Sequence, residues 1–204
     1  MRRDPKENER ALRAVAALQG GYFTAAEAKR AGYGYRQQHF HRERGNWLTI
    51  ERGLYRYPDF PNSDHEDLIR WALWSRDRHG RTVAVVSHDT ALSLHGLGDV
   101  MAADIHLTVP PGFRKRASGG CVLHRARLGA GDVEEHPGFL VTKPLRTIVD
   151  VAGSALSPEH LEAAIRDGIA RGVFWERSFH SLEAAPRARQ RIEAALSALA
   201  TRAS

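Results

Sequence analysis

The side chains with the clearest chemical capability lie in residues 35–44, a stretch whose composition and flanking glycines predict a helix. Phe40 is its only aliphatic or phenylalanine residue, so we expect Phe40 to anchor the helix and the opposite face to be exposed. That face would carry Arg36, Gln38, His39 and Arg42. Arginine bonds O6 and N7 of guanine in bidentate fashion, and glutamine bonds N6 and N7 of adenine. Arg36, Gln38 and Arg42 are therefore predicted to read DNA bases.

A second group of residues around this helix is expected to contact the phosphate backbone. The group comprises Gln37, Arg44, Arg52 and Arg56. Residues 1–57 hold twelve Lys and Arg against six Asp and Glu, a net charge of +6, whereas residues 58–204 hold eighteen of each. A basic segment joined to a neutral one is typical of a nucleic-acid-binding domain attached to a sensor or partner domain. A merely polar helix on a merely basic surface is the alternative interpretation.

Three predicted helices and a predicted hairpin would position these side chains. Residues 8–19 place apolar side chains on one helical face. Thr24 and Glu27 have the spacing of a capping box at the start of a second, short helix, which precedes the helix described above. The pattern then becomes strand-like in residues 47–57, with Gly53 in the turn, which predicts a β-hairpin. Helix, helix, helix and hairpin is the order of a winged helix-turn-helix.

Two prolines, Pro58 and Pro61, interrupt the chain after the predicted hairpin, because proline supplies no amide donor to a strand or helix. The predicted domains are therefore a winged helix-turn-helix in residues 1–60 and a second domain in residues 63–204. The second domain has predicted strands at 83–86, 105–109, 121–128 and 139–141 and predicted helices at 63–79, 89–95, 144–152, 157–169 and 187–199. The helix at 157–169 is predicted to have Ser157 as its N-cap and proline at its first position. The predicted fold class is α+β: an N-terminal winged helix-turn-helix and a mixed α/β C-terminal domain with a small sheet.

Other reactive residue types favour structural roles. Cys121, the single cysteine, lies in an apolar run, so a buried and inert thiol is expected. His39 and His41 are two apart on a helix, unlike the i, i+4 pairs of zinc enzymes, and His88 and His95 border a short helix that they are expected to cap or pack. The nearest nuclease candidates are Asp104, Glu134, Glu135 and Lys143. Their spacing fits no such site, so no enzyme activity, catalytic residue, metal or cofactor is predicted.

The basic loop Arg114, Lys115 and Arg116 has two possible roles: it contacts phosphate or an acidic partner, or it is a solvated hairpin tip. No long apolar run and no apolar leader occur in the sequence. We therefore expect a cytoplasmic protein with no membrane partner.

A series of short motifs runs along the chain in a recognisable order. They are Thr24-Ala-Ala-Glu27-Ala, Arg44-Gly45, Arg52-Gly-Leu-Tyr-Arg56, Ser87-His-Asp-Thr-Ala-Leu-Ser-Leu-His-Gly-Leu97, Ile105-His-Leu-Thr-Val-Pro110 and Thr142-Lys-Pro-Leu-Arg-Thr-Ile-Val-Asp150. The series resembles the AbiEi-family antitoxins of type IV toxin–antitoxin systems, over roughly residues 8–170. The resemblance implies a winged-helix autorepressor that binds inverted repeats at its own promoter and counteracts a nucleotidyltransferase-like toxin.

The residues and the resemblance together predict a sequence-specific DNA-binding transcriptional repressor, with double-stranded DNA as its partner and an antitoxin role. Two alternatives belong to other classes of protein. The first is a protein-interaction module whose basic winged helix binds a toxin or partner without specific DNA binding. The second, less favoured, is a metal-dependent nuclease fused to a winged helix.

Overall fold

The computed structural model describes residues 4–117, 119–180 and 183–203, and within them it has eight α-helices and eight strands. The helices are α1 (Pro5–Ala17), α2 (Ala25–Arg30), α3 (Tyr35–Glu43), α4 (Glu66–Ser75), α5 (His88–Leu94), α6 (Pro144–Gly153), α7 (Pro158–Ala170) and α8 (Pro186–Ala203). The strands are β1 (Tyr22–Thr24), β2 (Leu48–Glu51), β3 (Leu54–Arg56), β4 (Val85–Val86), β5 (Ile105–Val109), β6 (Cys121–Arg125), β7 (Val133–His136) and β8 (Phe139–Thr142). The fold class is α+β, as predicted.

The chain divides into two compact units. Unit 1 comprises Met1–Thr82 and His136–Phe139, and unit 2 comprises Val83–Glu135 and Leu140–Ser204. Unit 1 thus extends past the double proline at which the sequence places a domain boundary. The reason is that α4 belongs with the N-terminal elements: Arg76, directly after α4, forms an ion pair with Glu27 at 2.7 Å.

The small sheet of unit 1 has the order β1-β3-β2, with β3 antiparallel to both neighbours. The predicted hairpin is present as β2 and β3, and Gly53 has φ +80°, a left-handed conformation that side chains other than glycine rarely adopt. Strand β1 was not predicted, because only Tyr22 and Phe23 lie between Gly21, which ends the α1 turn, and Thr24, which caps α2. Its pairing with β3 places Tyr22 opposite Arg56.

Aromatic rings fill the core of unit 1. Phe23 is fully buried, and its ring centroid lies 5.0 Å from that of Trp47, 4.9 Å from that of Tyr57 and 5.8 Å from that of Tyr55. Such aromatic pairs contribute about 0.5–1.5 kcal/mol each beyond the burial of their surface. These rings share one buried cluster with Leu12 and Ala16 of α1 and Ala28 of α2, which joins the sheet to the helices.

The predicted capping box at the start of α2 is confirmed. The Thr24 amide donates to Glu27 Oε2 at 2.7 Å, and the Glu27 amide donates to Thr24 Oγ1 at 3.2 Å. Burial opposes ionisation of Glu27, but the hydrogen bonds from Thr24 and the charge of Arg76 outweigh it and hold the pKa of this carboxyl below its ordinary value. Glu27 thus caps α2 as a carboxylate and ties it to the end of α4.

Unit 2 contains most of a five-stranded mixed sheet of order β6-β5-β4-β8-β7. Strand β4 is antiparallel to β5 and parallel to β8, and β5 is parallel to β6. Strand β7 was not predicted, because its Val-Glu-Glu-His sequence lacks an apolar alternation. The helical core of unit 2 is aliphatic, centred on Leu92, Ile148, Leu161 and Ile165. The predicted cap of α7 is confirmed, since Ser157 accepts a hydrogen bond from the His160 amide and proline follows it.

Cys121 is half-buried on β6, where complete burial was expected. Burial raises the pKa of its thiol to about 11, with a smaller contribution from Asp104, so the thiol is neutral near pH 7. His95 packs as expected of a structural histidine: its Nε2 lies 2.8 Å from the carbonyl oxygen of Thr142. Arg114, Lys115 and Arg116 are exposed.

Three histidines of unit 2 form a compact cluster that sequence spacing did not indicate. The rings of His88 and His124 stack with centroids 3.5 Å apart, and His124 Nε2 lies 3.1 Å from His106 Nδ1. His88 is buried and has φ +52°. Burial, with a smaller contribution from the neighbouring histidines, lowers the pKa of His88 to about 3 and that of His124 to about 4. His88 and His124 are therefore neutral in the folded protein above about pH 4.

This cluster predicts that acid destabilises the protein. The unfolded chain takes up protons on His88 and His124 below about pH 6.5, whereas the folded chain does not until about pH 3 to 4, so stability falls as the pH decreases through this interval. Each histidine is expected to lower the free energy of unfolding by about 2 kcal/mol between pH 7.5 and pH 5. His88→Asn, which tolerates a positive φ, should reduce this decrease in urea titrations, and the exposed His180→Asn should not. An unchanged pH dependence in His88→Asn would contradict the prediction.

Candidate nucleic-acid interface

Helix α3 is held in place by a buried amide. Gln38 is 8% exposed, and its Nε2 donates to the carbonyl oxygen of Tyr33 at 2.9 Å and to that of Ala25 at 3.2 Å. The prediction that Gln38 faces solvent and reads a base is therefore wrong. The physical reason is that its side chain supplies hydrogen bonds to two carbonyl groups, at the start of α2 and in the turn before α3.

Phe40, the expected anchor of α3, is 52% exposed, so that prediction is also wrong. The inward face of the helix carries His41 instead. Its ring stacks on that of Trp47 with centroids 4.7 Å apart and meets Tyr33 edge-on at 5.1 Å. Burial lowers the pKa of His41, with Glu9 acting in the opposite direction. A neutral imidazole and an amide thus replace the aliphatic anchor that an amphipathic pattern would show.

Arg42 is half-buried, although the sequence predicts an exposed base-reading residue. Its guanidinium carbon lies 6.0 Å from the centroid of the Tyr55 ring, and its Nε atom is buried. Arg42 is half-buried because it directly follows His41, which lies on the inward side of the helix. It therefore lies at the margin of the exposed face of α3 and not at its centre.

The outward face of α3 is formed by residues of several types. It presents Tyr35, Arg36, Gln37, His39, Phe40, Glu43 and, just after the helix, Arg44. The predicted exposure of Arg36, His39 and Arg44 is confirmed. Gln37 is exposed but has a local structural role, because its Oε1 accepts a hydrogen bond from the Gly34 amide at 2.9 Å.

Tyr35, 82% exposed, and Phe40 were not expected on this surface. The sequence carries only a weak indication that Tyr35 and Phe40 face outward. Gln38, His41 and Arg42 recur at helical spacing, but polar side chains on the buried face of a helix give no hydrophobic period.

Arg56 was predicted to contact phosphate, and this prediction is wrong. It is 6% exposed on the central strand β3. Its Nη2 donates to the carbonyl oxygens of Phe60 at 3.0 Å and Pro61 at 2.9 Å and to Asn62 Oδ1 at 3.1 Å, and lies 3.4 Å from Glu66 Oε1. A guanidinium on the middle strand thus satisfies the polar atoms of the segment that leaves the hairpin.

Three arginines give the surface around α3 its positive charge. Arg36, Arg44 and Arg52 are exposed, and in the described parts of the chain none of them forms an ion pair. By contrast, Arg13 is paired with Glu9 and Asp59, and Arg70 with Glu51 and Asp67. Arg52 lies in the turn of the β2–β3 hairpin. The three guanidinium groups are available to an anionic ligand such as a phosphate backbone.

Two kinds of feature are absent from the described residues, a candidate metal-ion cluster and a membrane-spanning helix. Among residues 4–117, 119–180 and 183–203, no group of three or more His, Cys, Asp or Glu side chains is arranged to hold a metal ion. No helix in these ranges combines the length and apolar composition needed to cross a membrane.

Comparisons with known proteins give a weak structural likeness. No protein-family model and no curated protein matches the chain. A crystal structure of the RV2827C protein from Mycobacterium tuberculosis aligns with 97% of this chain and 78% of its own, at 16% sequence identity and a TM-score of 0.48.

Gln38 is expected to be a stability determinant. Gln38→Ala would leave the carbonyl groups of Ala25 and Tyr33 without this donor, so we expect the free energy of unfolding to fall by about 1–3 kcal/mol in urea titrations. Arg36→Ala, on the exposed side of the same helix, should change it by no more than about 0.5 kcal/mol. Equal effects of the two substitutions would contradict the assigned orientation of α3.

Arg56 and Arg52 provide a matched pair for a second test. Arg56→Ala removes the guanidinium from three acceptors, so the free energy of unfolding should fall by about 2–4 kcal/mol. Arg52→Ala, four residues earlier in the exposed turn, should leave stability within about 0.5 kcal/mol of the parent. A stable Arg56→Ala protein would show that its hydrogen bonds contribute little to the fold.

Proposed function

We propose that the elements from α1 to β3 form a winged helix-turn-helix that binds double-stranded DNA, with α3 in the major groove and the β2–β3 hairpin as the wing. The order α1, β1, α2, α3, β2, β3 and the sheet order β1-β3-β2 support this assignment. An α-helix fits the major groove of B-DNA, where each base pair has a distinct pattern of donors and acceptors.

The observation that carries the proposal is the set of unpaired exposed arginines on α3 and its hairpin. Arg36 and Arg44 lie at the two ends of the α3 face, and Arg52 lies on the wing. Exposed guanidinium groups outside any ion pair gain most from an anionic backbone, because no internal ion pair is lost on binding. We propose Arg36 and His39 as base contacts and Arg52 as a phosphate contact. Gln38 and Arg56 are buried and are no longer proposed as DNA contacts. Gln37 supports the interface indirectly, because its side chain caps the N-terminus of α3.

The biological role that we propose is transcriptional repression at the protein's own promoter. An antitoxin role against a nucleotidyltransferase-like toxin extends this proposal, and it rests on the motif series between Thr24 and Asp150. The neutral segment of residues 58–204 is the proposed site of the toxin interaction, because residues 1–57 are assigned to DNA binding. We propose no enzymatic activity, and we place the protein in the cytoplasm, where its DNA target lies.

A protein-interaction module is the second candidate. The exposed aromatic rings of Tyr35 and Phe40 favour it, since aromatic residues are enriched at protein interfaces. Binding of a protein partner would depend less steeply on salt than binding of DNA, which releases condensed counterions.

The proposal is tested by titrating the full-length protein with a duplex from upstream of its own gene and with a random duplex. We expect about a thousandfold preference for the upstream duplex. The logarithm of the affinity should fall linearly with the logarithm of salt concentration, by about 0.9 for each neutralised phosphate. Equal affinity for the two duplexes would refute the repressor, and a flat salt profile would favour the protein-interaction module.

Two variants then separate the classes of contact within the same titration. Arg36→Ala should lower affinity for the upstream duplex about five- to hundredfold and relax the preference at one base pair. Arg52→Ala should weaken binding to both duplexes alike and reduce the salt slope by about one phosphate. Arg187→Ala, an exposed arginine of unit 2, is the charge-matched control and should change neither affinity nor slope.

A further inference from the structure

Phe40 and Arg44 form a mixed apolar and cationic pair on the outward face of α3. Phe40 is 52% exposed, and the guanidinium carbon of Arg44 lies 5.4 Å from the centroid of its ring. The two residues are four apart, so they share one face of the helix, and a long side chain leans toward the helix N-terminus. Arg44 therefore extends back over the Phe40 ring.

We propose that this pair recognises a thymine next to a guanine in the major groove. The Phe40 ring contacts the C5-methyl group of the thymine, and the Arg44 guanidinium donates to O6 and N7 of the guanine. The inference rests on the proposed DNA-binding function and adds to it the sequence that this part of α3 reads. It also moves Arg44 from the predicted phosphate contacts to the base contacts.

The surroundings of Phe40 fit a single methyl group in a polar groove. On the helix surface its neighbours at three and four residues are Arg36, Gln37, Glu43 and Arg44, all exposed and polar. A protein-docking patch is a contiguous apolar area, whereas the helix neighbours of this ring at three and four residues are all hydrogen-bonding side chains. The thymine methyl group is likewise an apolar group with polar neighbours, because base oxygens and nitrogens flank it along the major-groove edge.

The geometry of the pair also fits neighbouring base pairs. One helical turn advances about 5.4 Å along the axis, and successive phosphates along one DNA strand are about 3.4 Å apart along the duplex axis. The Arg44 guanidinium carbon lies 5.4 Å from the centroid of the Phe40 ring, between one and two base steps of about 3.4 Å, so the two side chains can reach adjacent base pairs. The cation over the ring also limits the directions that the guanidinium can take, which favours a bidentate contact with guanine.

The test uses the full-length protein and a 30-base-pair duplex that it selects from a random library, with binding measured by fluorescence anisotropy. Each thymine is replaced in turn by deoxyuridine, which removes only the methyl group. In the parent protein one such replacement per binding site should weaken binding about three- to tenfold. Phe40→Ala should bind the unmodified duplex more weakly by a similar factor and should not respond to that replacement. Phe40→Leu should keep the response, because leucine retains an apolar contact.

The guanine is tested with 7-deazaguanine beside the sensitive thymine. This base lacks the N7 acceptor and should weaken binding by the parent but not by Arg44→Ala. Leu18→Ala, which truncates an exposed apolar residue of the same unit outside α3, is the control and should respond to both modified bases as the parent does.

The possible results separate the inference from the proposed function. Insensitivity of the parent to every deoxyuridine, or a sensitive thymine that remains sensitive in Phe40→Ala, would overturn the thymine contact while specific DNA binding stands. Failure of the parent to select any duplex would overturn both. Loss of binding to a protein partner by Phe40→Ala, with unchanged binding to DNA, would assign the ring to a protein interface and also overturn the inference.

Discussion

The orientation of α3 depends on the two hydrogen bonds that the Gln38 amide donates to the carbonyl oxygens of Ala25 and Tyr33. A buried amide without acceptors, or buried carbonyls without a donor, would cost free energy, so this arrangement fixes the rotation of the helix about its axis. With Gln38 inward, His41 stacks on Trp47 and Phe40 points outward. The chemistry of the exposed face therefore follows from a polar contact on the opposite side of the helix.

The rest of unit 1 supports that contact through a second polar link and an aromatic core. Glu27 caps α2 and pairs with Arg76, so the first turn of α2, which provides the Ala25 carbonyl, is held at its N-terminus. The rings around Phe23 pack in one buried cluster with Leu12, Ala16 and Ala28 of the helices. The ion pair also explains why the first compact unit continues through α4. A helix that carries a partner for a buried carboxylate belongs energetically with that carboxylate, since a buried charge without its partner is strongly destabilising.

Arginine has two distinct roles in this unit, and burial separates them. Arg56 is enclosed by polar atoms of residues 60–62 and contributes to the fold, whereas Arg52, four positions earlier, is exposed in the hairpin turn. The net charge of residues 1–57 includes both arginines, although only Arg52 is exposed to a ligand. The proposed DNA interface rests on the smaller set of arginines that are exposed and form no ion pair in the described residues, and an anionic ligand can reach their charge.

The sequence by itself determined the features that neighbouring residues control. These are the caps at Thr24 and Ser157, the hairpin around Gly53, the alternating strand β5 and the concentration of positive charge before residue 58. The inward face of α3, the burial of Arg56, the short strands β1 and β7 and the extent of unit 1 were decided by tertiary structure. The physical reason is that Gln38 and Arg56 are polar side chains whose burial is possible only because other parts of the chain supply hydrogen-bond acceptors for them. Hydrophobic periodicity does not register such acceptors, and only the folded chain brings donor and acceptor together.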